Sequence, residues 1–362
     1  MKKIIISHKL GETYAVIVEA GEVSEIKIAR NDSPRLVGNI YKGVVKNFLP
    51  GMQAAFVDIG REKNSFLQFN SPQKFSVGQS VLIQIEKDEI GAKGARSTLN
   101  INLAGRLLIF LPTLNYIGVS NKIRGLERER LHALGKRIRP KDSGLIIRTA
   151  AEGCDEQTLL DELAKLQELW TKILERNVKR KAPALLHVDN DLIEKILRDE
   201  VTEDTEIIVD NLKIYRRLVE VVGNVNFYDG SAQIFEAFDV AKEISKINRR
   251  ELSLPSGGQI VIDKTEALTA IDVNTGKFIG EKNFDETILK TNLEAAELIL
   301  KQLRLRDLGG IIIVDFIDMD SDAHRKLLMH FLRERAATDR AKTKIVDMTP
   351  LGLVEITRHG RV

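Results

Sequence analysis

A short run of β-branched and other apolar residues at positions 311–316 constrains the fold of this chain more than any other segment. Such a run indicates a buried strand. Strand-like runs also lie at 258–263, 267–274 and 344–348, and helix-like segments lie at 285–308 and 321–341. Strand, long helix, buried strand, helix and strand in succession are typical of α/β layering. We therefore predict a mixed α/β fold with several subdomains.

Two of these runs carry an aspartate near their end, Asp272 in one and Asp315 in the other. A carboxylate at a strand end is rigidly placed and can still face solvent. Two of them, joined by a helical crossover, can bind a hard divalent cation, because Mg²⁺ is commonly held by one or two carboxylates with waters and phosphates. This pattern favours phosphodiester chemistry. The alternative is that both aspartates only cap the turns that follow their strands.

Asn274 follows Asp272 by two positions, so on a strand both side chains point to the same face. Its alternative role is that of a turn residue. Aspartates also crowd after Asp315, at positions 318, 320 and 322. We interpret these as helix-capping residues rather than metal ligands, with Asp320 or Ser321 at the N-cap of the helix that follows.

Length and composition set broad limits on function. The 362 residues are 43% hydrophobic and 30% charged, which is typical of a globular protein of several modules. No run approaches the roughly 18 apolar residues that a membrane helix needs, and the N-terminal apolar stretch is too short for a signal peptide. We expect no membrane segment and a cytoplasmic location. The single cysteine excludes an intrachain disulfide, and the net charge of +3 does not by itself indicate nucleic-acid binding.

The remaining segments predict smaller modules. Residues 1–34 hold two strand-like runs, too few for a domain, so we expect them to pair with a later segment. Residues 35–100 carry short strand-like runs punctuated by glycine, which favours a small closed barrel. Leucines at three- and four-residue steps predict a helix over 155–180. Residues 188–250 predict a strand and then a polar helix over 232–250.

Four stretches make the sequence similar to the ribonuclease E/G family of bacterial endoribonucleases. They are Gly-Asn-Ile-Tyr-Lys-Gly at 38–43, Gly-Met-Gln-Ala-Ala-Phe-Val-Asp-Ile-Gly at 51–60, Thr-Glu-Ala-Leu-Thr-Ala-Ile-Asp-Val-Asn at 265–274, and the segment from 291 to 319 that ends in Asp-Phe-Ile-Asp-Met. They span nearly the whole chain in the order of the family. The unbroken stretch at 51–60 is closer to the ribonuclease G branch.

The resemblance implies an architecture of five segments. An S1-type OB-fold barrel for RNA binding, at 35–100, is inserted in an RNase H-like fold whose two parts are 1–34 and 188–250. A 5′-end sensor occupies 101–187, and a DNase I-like α/β catalytic subdomain occupies 251–362. In this arrangement the short N-terminal segment is completed by residues much later in the chain.

The resemblance also implies roles for the candidate catalytic residues. Asp272 and Asp315 would hold Mg²⁺, or Mn²⁺ in its place, and Asn274 would orient an aspartate or the attacking water. The family cleaves RNA to leave a 5′-monophosphate and a 3′-hydroxyl, which is consistent with attack by water.

Further matches concern RNA binding. Phe56 and Phe66 match base-stacking positions, and Lys93 matches a lysine that clamps RNA, although phenylalanines on barrel strands are more often core residues. Lys122 and Lys342 match positions where family members carry arginine near RNA, so the planar fork is lost there while the charge is kept.

Four residues match the pocket of the family for a 5′-monophosphate. Arg148 and Thr149 would contact the phosphate, because an arginine fork and a hydroxyl suit its oxygens. Gly105 and Ile109 match the residues that support the pocket. Without the resemblance, Arg148 is a surface arginine and Thr149 caps a strand.

The expected assembly follows from what the chain does and does not match. Family members carry a Cys-Pro-x-Cys zinc link after the catalytic subdomain, and this sequence stops before it, so we expect no zinc. A homodimer is an expected assembly, because in the family two subunits form one RNA channel. No feature of the sequence identifies degradation partners.

The leading hypothesis from the sequence is a Mg²⁺-dependent endoribonuclease for single-stranded RNA that favours 5′-monophosphorylated ends and acts in RNA processing and decay. The competing hypothesis is an RNA-binding protein of the same fold that cleaves weakly or not at all, since the zinc-linked dimer is missing. A third interpretation is a DNA nuclease.

Overall fold

The computed structural model describes residues 2–30, 35–69, 74–89, 91, 93–189, 191–202, 204–275, 284–339 and 341–360. The chain divides into two compact units. Unit 1 comprises residues 1–32 and 202–362, and unit 2 comprises residues 33–201. Unit 1 is therefore built from both ends of the sequence, and unit 2 is one continuous segment.

Three antiparallel strands begin unit 1: β1 (Lys2–Lys9), β2 (Glu12–Glu19) and β3 (Glu22–Arg30). Strand β1 is apolar over Ile4, Ile5 and Ile6, and all three side chains are buried. A strand covered on both faces needs further partners beside and above it. The N-terminal strands therefore cannot form a stable domain by themselves.

A closed barrel begins unit 2. Its strands are β4 (Ile40–Leu49), β5 (Ala54–Asp58), β6 (Ser65–Gln68), β7 (Ser80–Lys87) and β8 (Arg96–Thr98). They follow the order β4-β5-β6-β8-β7, and pairing of β4 with β7 closes the ring. Alternate side chains such as Val45, Val57, Leu67 and Ile83 fill the interior. The closed barrel confirms the prediction for this segment.

The rest of unit 2 is a small α/β layer. Its elements are β9 (Leu103–Ala104), β10 (Leu108–Leu111), β11 (Ile117–Val119), α1 (Gly125–Ile138), β12 (Gly144–Ile147), α2 (Glu156–Lys179), β13 (Ala184–His187) and α3 (Leu192–Asp199). Four strands form one sheet in the order β11-β12-β10-β9, while β13 pairs with β4 at the barrel. Helix α2 agrees with the predicted 155–180, and the Asp155 side chain caps it by accepting from the amide of Thr158.

The chain then returns to unit 1. The elements are β14 (Thr205–Val209), α4 (Leu212–Val219), β15 (Val225–Phe227), α5 (Ile234–Ala237), α6 (Ala241–Lys246), β16 (Glu251–Ser253), β17 (Gln259–Lys264), β18 (Leu268–Asn274), α7 (Phe284–Leu305), β19 (Gly310–Asp315), α8 (Asp322–Ala336), β20 (Lys344–Met348) and β21 (Leu353–Arg358). The polar helix predicted over 232–250 is wrong as a single element. Asp239 adopts a left-handed conformation, with φ at 57°, and separates α5 from α6.

Unit 1 contains two sheets. Strand β1 pairs in parallel with β14, giving the order β15-β14-β1-β2-β3, so the N-terminal strands do pair with a later segment. The second sheet has the order β16-β17-β18-β19-β21-β20. Its core combines residues such as Ile271, Ile312 and Val314 with Ile299 of α7 and Leu332 of α8. This second sheet carries the candidate catalytic aspartates.

A buried ion cluster ties the last strand of the second sheet to the rest of unit 1. The Arg358 guanidinium, 2% exposed at its side chain, lies 2.8 Å from Asp339 Oδ2 and 3.1 Å from Asp307 Oδ1, and it donates to the carbonyl of Leu308. Burial raises the pKa of Asp339, but hydrogen bonds from Arg358 and its other neighbours outweigh burial and hold the pKa below the usual 3.8. The carboxylate is therefore charged at neutral pH.

Replacing Asp339 with Asn should destabilise the protein by about 2 kcal/mol at pH 7, because a buried charge-assisted hydrogen bond is lost while Arg358 keeps Asp307. A carboxyl with a lowered pKa in the fold stabilises above its unfolded pKa, and that contribution disappears as pH falls through the folded pKa. The difference should therefore shrink below about pH 4. Urea unfolding at pH 7 and pH 3 measures it. The exposed Asp347→Asn, whose partner Arg333 is 3.9 Å away, is the control and should change nothing.

Candidate active site and phosphate pocket

The two candidate metal ligands lie side by side in unit 1. Strands β18 and β19 are parallel, and their register places Asp272 directly opposite Asp315. Neighbouring strands are about 4.8 Å apart, so the two carboxyl groups can reach one cation. Along β18 the residues Thr269, Ile271 and Val273 are buried, and the alternate positions, including Asp272, are exposed. The carboxylates thus project from the open face of the sheet.

Asn274 joins this pair on the same face. Its side-chain amide Nδ2 donates to Asp272 Oδ2 at 2.5 Å. This hydrogen bond fixes the rotation of the carboxylate and leaves its other oxygen available. The geometry agrees with the two-residue spacing that the sequence shows.

Charge repulsion distinguishes Asp315 from an ordinary surface aspartate. Burial raises the pKa of its carboxyl, and the nearby carboxylates of Asp272 and Asp318 raise it further. A site that disfavours its own negative charge gains from a bound cation, since the cation removes the repulsion. The sequence does not predict the effect of Asp318. The N-cap of α8 is Ser321, as predicted, and Asp322 pairs with Arg325, so a capping role does not account for Asp318.

The donor set suits a hard cation that keeps most of its waters. In the part of the chain that the structure describes, no group of three or more His, Cys, Asp or Glu side chains is placed to share a metal ion. Two carboxylates with an adjacent amide match the sparse protein ligation of Mg²⁺. The residues present therefore fit a magnesium ion held by Asp272 and Asp315.

The two barrel phenylalanines lie on the outer surface of unit 2. Phe56 on β5 pairs in register with Phe66 on β6, and the ring centroids are 5.7 Å apart with an interplanar angle of 64°. Phe56 is 36% exposed, whereas the barrel core is filled from the alternate positions. The core alternative is therefore wrong for Phe56. Phe66 is half-buried, so the accessible part of this aromatic pair, chiefly Phe56, offers a surface on which bases can stack.

Lys93 lies in the loop that enters β8, and its side chain is exposed. The next residue, Gly94, packs so closely that a Cβ there would lie 2.0 Å from the carbonyl oxygen of Asn64. The close approach fixes the loop against the strand that carries Phe66, because that carbonyl precedes β6 by one residue. The backbone therefore holds Lys93, the residue before Gly94, near the start of β6.

Replacing Gly94 with Ala should destabilise the barrel by about 1–3 kcal/mol, because the new methyl group overlaps a backbone carbonyl at the start of a barrel strand. Thermal unfolding followed by circular dichroism measures the loss. Gly51→Ala is the matched control, since a Cβ at Gly51 meets no atom within 4 Å. Equal stability of the two variants would contradict the packing described for Gly94.

Arg148 lies at the centre of the second candidate site in unit 2, directly after β12. Its backbone amide donates to the carbonyl of Leu107 at 2.8 Å, and its Nη1 donates to the carbonyl of Gly105 at 2.6 Å. Its Nη2 lies 2.6 Å from Asp199 Oδ1. A Cβ at Gly105 would lie 2.6 Å from the Glu162 carboxylate, so a larger residue there would have to displace that carboxylate. The structure thus brings together Arg148 and Gly105, as the resemblance implies.

The neighbours of Arg148 complete this pocket. The hydroxyl groups of Thr149 and Ser120 are 2.8 Å apart, and the amide of Lys122 donates to the same Ser120 hydroxyl at 3.3 Å. Both Thr149 and Lys122 are exposed. Ile109 lies on β10, where it pairs with Ala104, the residue before Gly105. Lys122 therefore belongs to the surroundings of the pocket.

Lys342 lies in unit 1, where it is exposed and adopts a left-handed backbone conformation with φ at 54°. Such a conformation is uncommon for a residue other than glycine. It follows Ala341, whose amide donates to Asp339 in the buried ion cluster. The cluster therefore constrains the backbone that carries Lys342.

The described residues hold no helix that is long and apolar enough to cross a membrane. The fold and the site together define a mixed α/β protein that combines a closed barrel with a pair of aligned carboxylates on an open sheet face. Residues 102–361 match the Ribonuclease E/G family.

Individual relatives agree with this match over nearly the whole chain. Ribonuclease G of Salmonella typhimurium (strain SL1344) and ribonuclease G of Escherichia coli (strain K12) are each 40% identical over 387 residues, which cover 98% of this chain and 79% of the relative. Ribonuclease E of Synechocystis sp. (strain ATCC 27184 / PCC 6803 / Kazusa) is 36% identical over 99% of this chain and 56% of its own length. The chain belongs to the ribonuclease E/G family.

Proposed function

We propose that this protein is a Mg²⁺-dependent endoribonuclease that hydrolyses single-stranded RNA in RNA processing and decay. The alignment of Asp272 with Asp315 on an open sheet face, in a chain of a ribonuclease family, is the observation that carries the proposal. Membership of the family does not by itself locate a metal ion, whereas two exposed carboxylates in register are suitable ligands for one. Mn²⁺ would suit the same oxygen ligands.

Asp272 and Asp315 would hold the cation. When bound, a Mg²⁺ ion supplies an activated water and neutralises charge on the scissile phosphate. The chain contributes fixed geometry: the β18–β19 register sets the separation of the carboxylates, and Asn274 prevents Asp272 from rotating. Water, rather than the ribose 2′-hydroxyl, is then the nucleophile. The products would be a 5′-monophosphate and a 3′-hydroxyl.

RNA would be bound largely by unit 2. Phe56 and Phe66 would stack on bases, and Lys93 would contact phosphate. Lys122 and Lys342 would add phosphate contacts through their ammonium groups, which lack the planar fork of an arginine. Arg148 and Thr149, supported by Gly105 and Ile109, would receive the 5′-monophosphate of the substrate. The exposure of Phe56, Lys93 and Thr149 supports the assignments.

We assign the modules of this proposal to the sheets. The sheet β15-β14-β1-β2-β3 would be the RNase H-like part, and the barrel would be the S1-type OB fold. The sheet β11-β12-β10-β9 with α1 and α2 would be the 5′-end sensor. The sheet that carries the aspartates would be the DNase I-like catalytic subdomain. A homodimer would be the active assembly.

Asp272→Asn or Asp315→Asn should reduce cleavage by at least about 100-fold, because a metal ligand is lost, while RNA affinity changes less than about twofold. Cleavage of a 5′-phosphorylated oligonucleotide in Mg²⁺, and its binding in chelator, provide the two measurements. Asp263→Asn is the control: this carboxylate is on the adjacent strand β17, opposite Ala270 rather than Asp272, and pairs with Arg250. Full activity of either aspartate variant would exclude the metal assignment.

The same experiment separates the alternatives. A wild-type protein that binds the RNA but does not cleave it in Mg²⁺ would be the RNA-binding module of the second hypothesis. Competition between RNA and DNA oligonucleotides of one sequence tests the DNA-nuclease hypothesis, because the 2′-hydroxyl distinguishes the two polymers.

Phe56→Ala should weaken binding of single-stranded RNA by about 1–3 kcal/mol, which is the usual value of one stacked base, with little change in stability because Phe56 is 36% exposed. Fluorescence anisotropy measures the affinity, and thermal unfolding checks the fold. Val178→Ala, at an 83% exposed position of α2, is the control for loss of an exposed apolar side chain. Unchanged affinity of the Phe56 variant would remove the aromatic pair from the RNA surface.

A further inference from the structure

The guanidinium that would receive the 5′-phosphate already has an anionic partner. Arg148 Nη2 lies 2.6 Å from Asp199 Oδ1, and Nη1 is held by the carbonyl of Gly105. Asp199 is at the end of α3, 51 residues after Arg148, and its side chain is 30% exposed. The carboxylate thus occupies one of the nitrogens with which an arginine binds phosphate oxygens.

Asp199 also belongs to a charge cluster that would retain it after its release from Arg148. Arg198 contacts Asp199 at 3.4 Å and Asp189 at 3.2 Å, and it donates to the carbonyl of Ala104. Burial raises the pKa of Asp199, but the guanidinium groups of Arg198 and Arg148 outweigh burial and lower the pKa below its usual range. The carboxylate is therefore charged at neutral pH. Lys195 lies in the same cluster, where Asp189 and Asp199 act on its charge.

Three backbone amides that follow Gly105 donate to a second carboxylate. Glu162 on α2 accepts from the backbone amides of Arg106, Leu107 and Leu108 at 2.5, 2.7 and 3.0 Å. Three amide bonds hold Glu162 in place, whereas Asp199 makes its one short contact with Arg148. Asp199 is therefore the internal anion that an incoming phosphate can displace.

We propose that Asp199 is a resident anion that occupies Arg148 until a 5′-terminal phosphate displaces it, and that it thereby sets the affinity of the pocket. The inference rests on the 5′-phosphate binding proposed above. A terminal monophosphate carries a charge of about −1.5 to −2 and three acceptor oxygens, so it outcompetes a carboxylate of charge −1 for the guanidinium. A phosphodiester within the chain carries a single charge and has no such advantage. Asp199 is a specificity-determining residue of the pocket.

The experiment measures binding of a short single-stranded RNA with either a 5′-monophosphate or a 5′-hydroxyl to the full chain, by fluorescence anisotropy in chelator so that no cleavage occurs. Asp199→Asn keeps the size of the side chain and an oxygen that both arginines can contact, but it removes the charge. It should tighten binding of the 5′-monophosphorylated RNA by roughly fivefold, the upper range for a partly exposed ion pair, and leave the 5′-hydroxyl RNA unchanged. Asp199→Ala should act in the same direction.

Asp189→Asn is the matched control, because it removes a carboxylate from the same cluster while leaving the Arg148–Asp199 pair intact. It should change neither affinity. The proposal would be overturned if the Asp189 and Asp199 variants increased the RNA affinity equally, or if the affinity for both RNAs increased equally. Either result would mean that the loss of any nearby negative charge explains the effect. Weaker binding of the 5′-monophosphorylated RNA by the Asp199 variants would instead show that the carboxylate only positions Arg148, and it would also overturn the proposal.

Arg148→Ala separates this inference from the proposed function. If the wild-type protein prefers the 5′-monophosphate and Arg148→Ala abolishes the preference, the proposed 5′-phosphate pocket is supported. In that case an unchanged affinity of Asp199→Asn rejects only the role of Asp199 as a resident anion. If the wild-type protein shows no preference, both the pocket and the resident anion are rejected. Thermal unfolding of each variant confirms that the comparison is made between folded proteins.

Discussion

Two negative charges held side by side on β18 and β19 are the constraint on which the candidate catalytic site depends. The carboxylates of Asp272 and Asp315 repel each other. Burial raises the pKa of Asp315, and this repulsion raises it further. They cannot separate, because the ladder between the two strands fixes their register and the core beneath is closed by α7 and α8. Folding of the sheet thus supplies the energy that keeps the two candidate cation ligands side by side.

Internal arginine–carboxylate pairs serve different ends in the two units. In unit 1, Arg358 is buried with Asp339 and Asp307, so that the contact stabilises the last strand. In unit 2, the pair of Arg148 with Asp199 is partly exposed, with side chains 28% and 30% accessible. Because solvent reaches the second pair, it contributes little to the free energy of unfolding, and another anion can compete for Arg148. The same kind of ion pair therefore stabilises the fold where it is buried, and under our proposal it can exchange partners where it is partly exposed.

The sequence predicts the elements whose signals are local. The periodicity of leucines locates α2, and the apolar runs locate β18 and β19. The two-residue spacing of Asp272 and Asn274 correctly places both side chains on one face of β18. The sequence likewise limits the cap of α8 to Asp320 or Ser321, and the structure shows that it is Ser321. These features need only the geometry of one helix or one strand.

What the sequence does not reveal depends on contacts between distant segments. Arg148 pairs with Asp199, which is 51 positions later in the chain. Glu162 accepts hydrogen bonds from three backbone amides that are 54 to 56 positions earlier. The break between α5 and α6 depends on one left-handed residue, Asp239, whose type permits that conformation without requiring it. Only the folded chain shows which of the many charged residues become neighbours.

The parallel pairing of β1 with β14 has a consequence for synthesis on the ribosome. Residues such as Ile5 leave the ribosome early, yet their partner Ile208 is made about two hundred residues later. At typical rates of translation this delay is on the order of ten seconds or more, far longer than a hairpin needs to form. Unit 2 is continuous in sequence and can fold during the delay, while the apolar strand β1 waits unpaired on one edge. Until β14 is made, the free edge of β1 is therefore a segment that needs protection from aggregation.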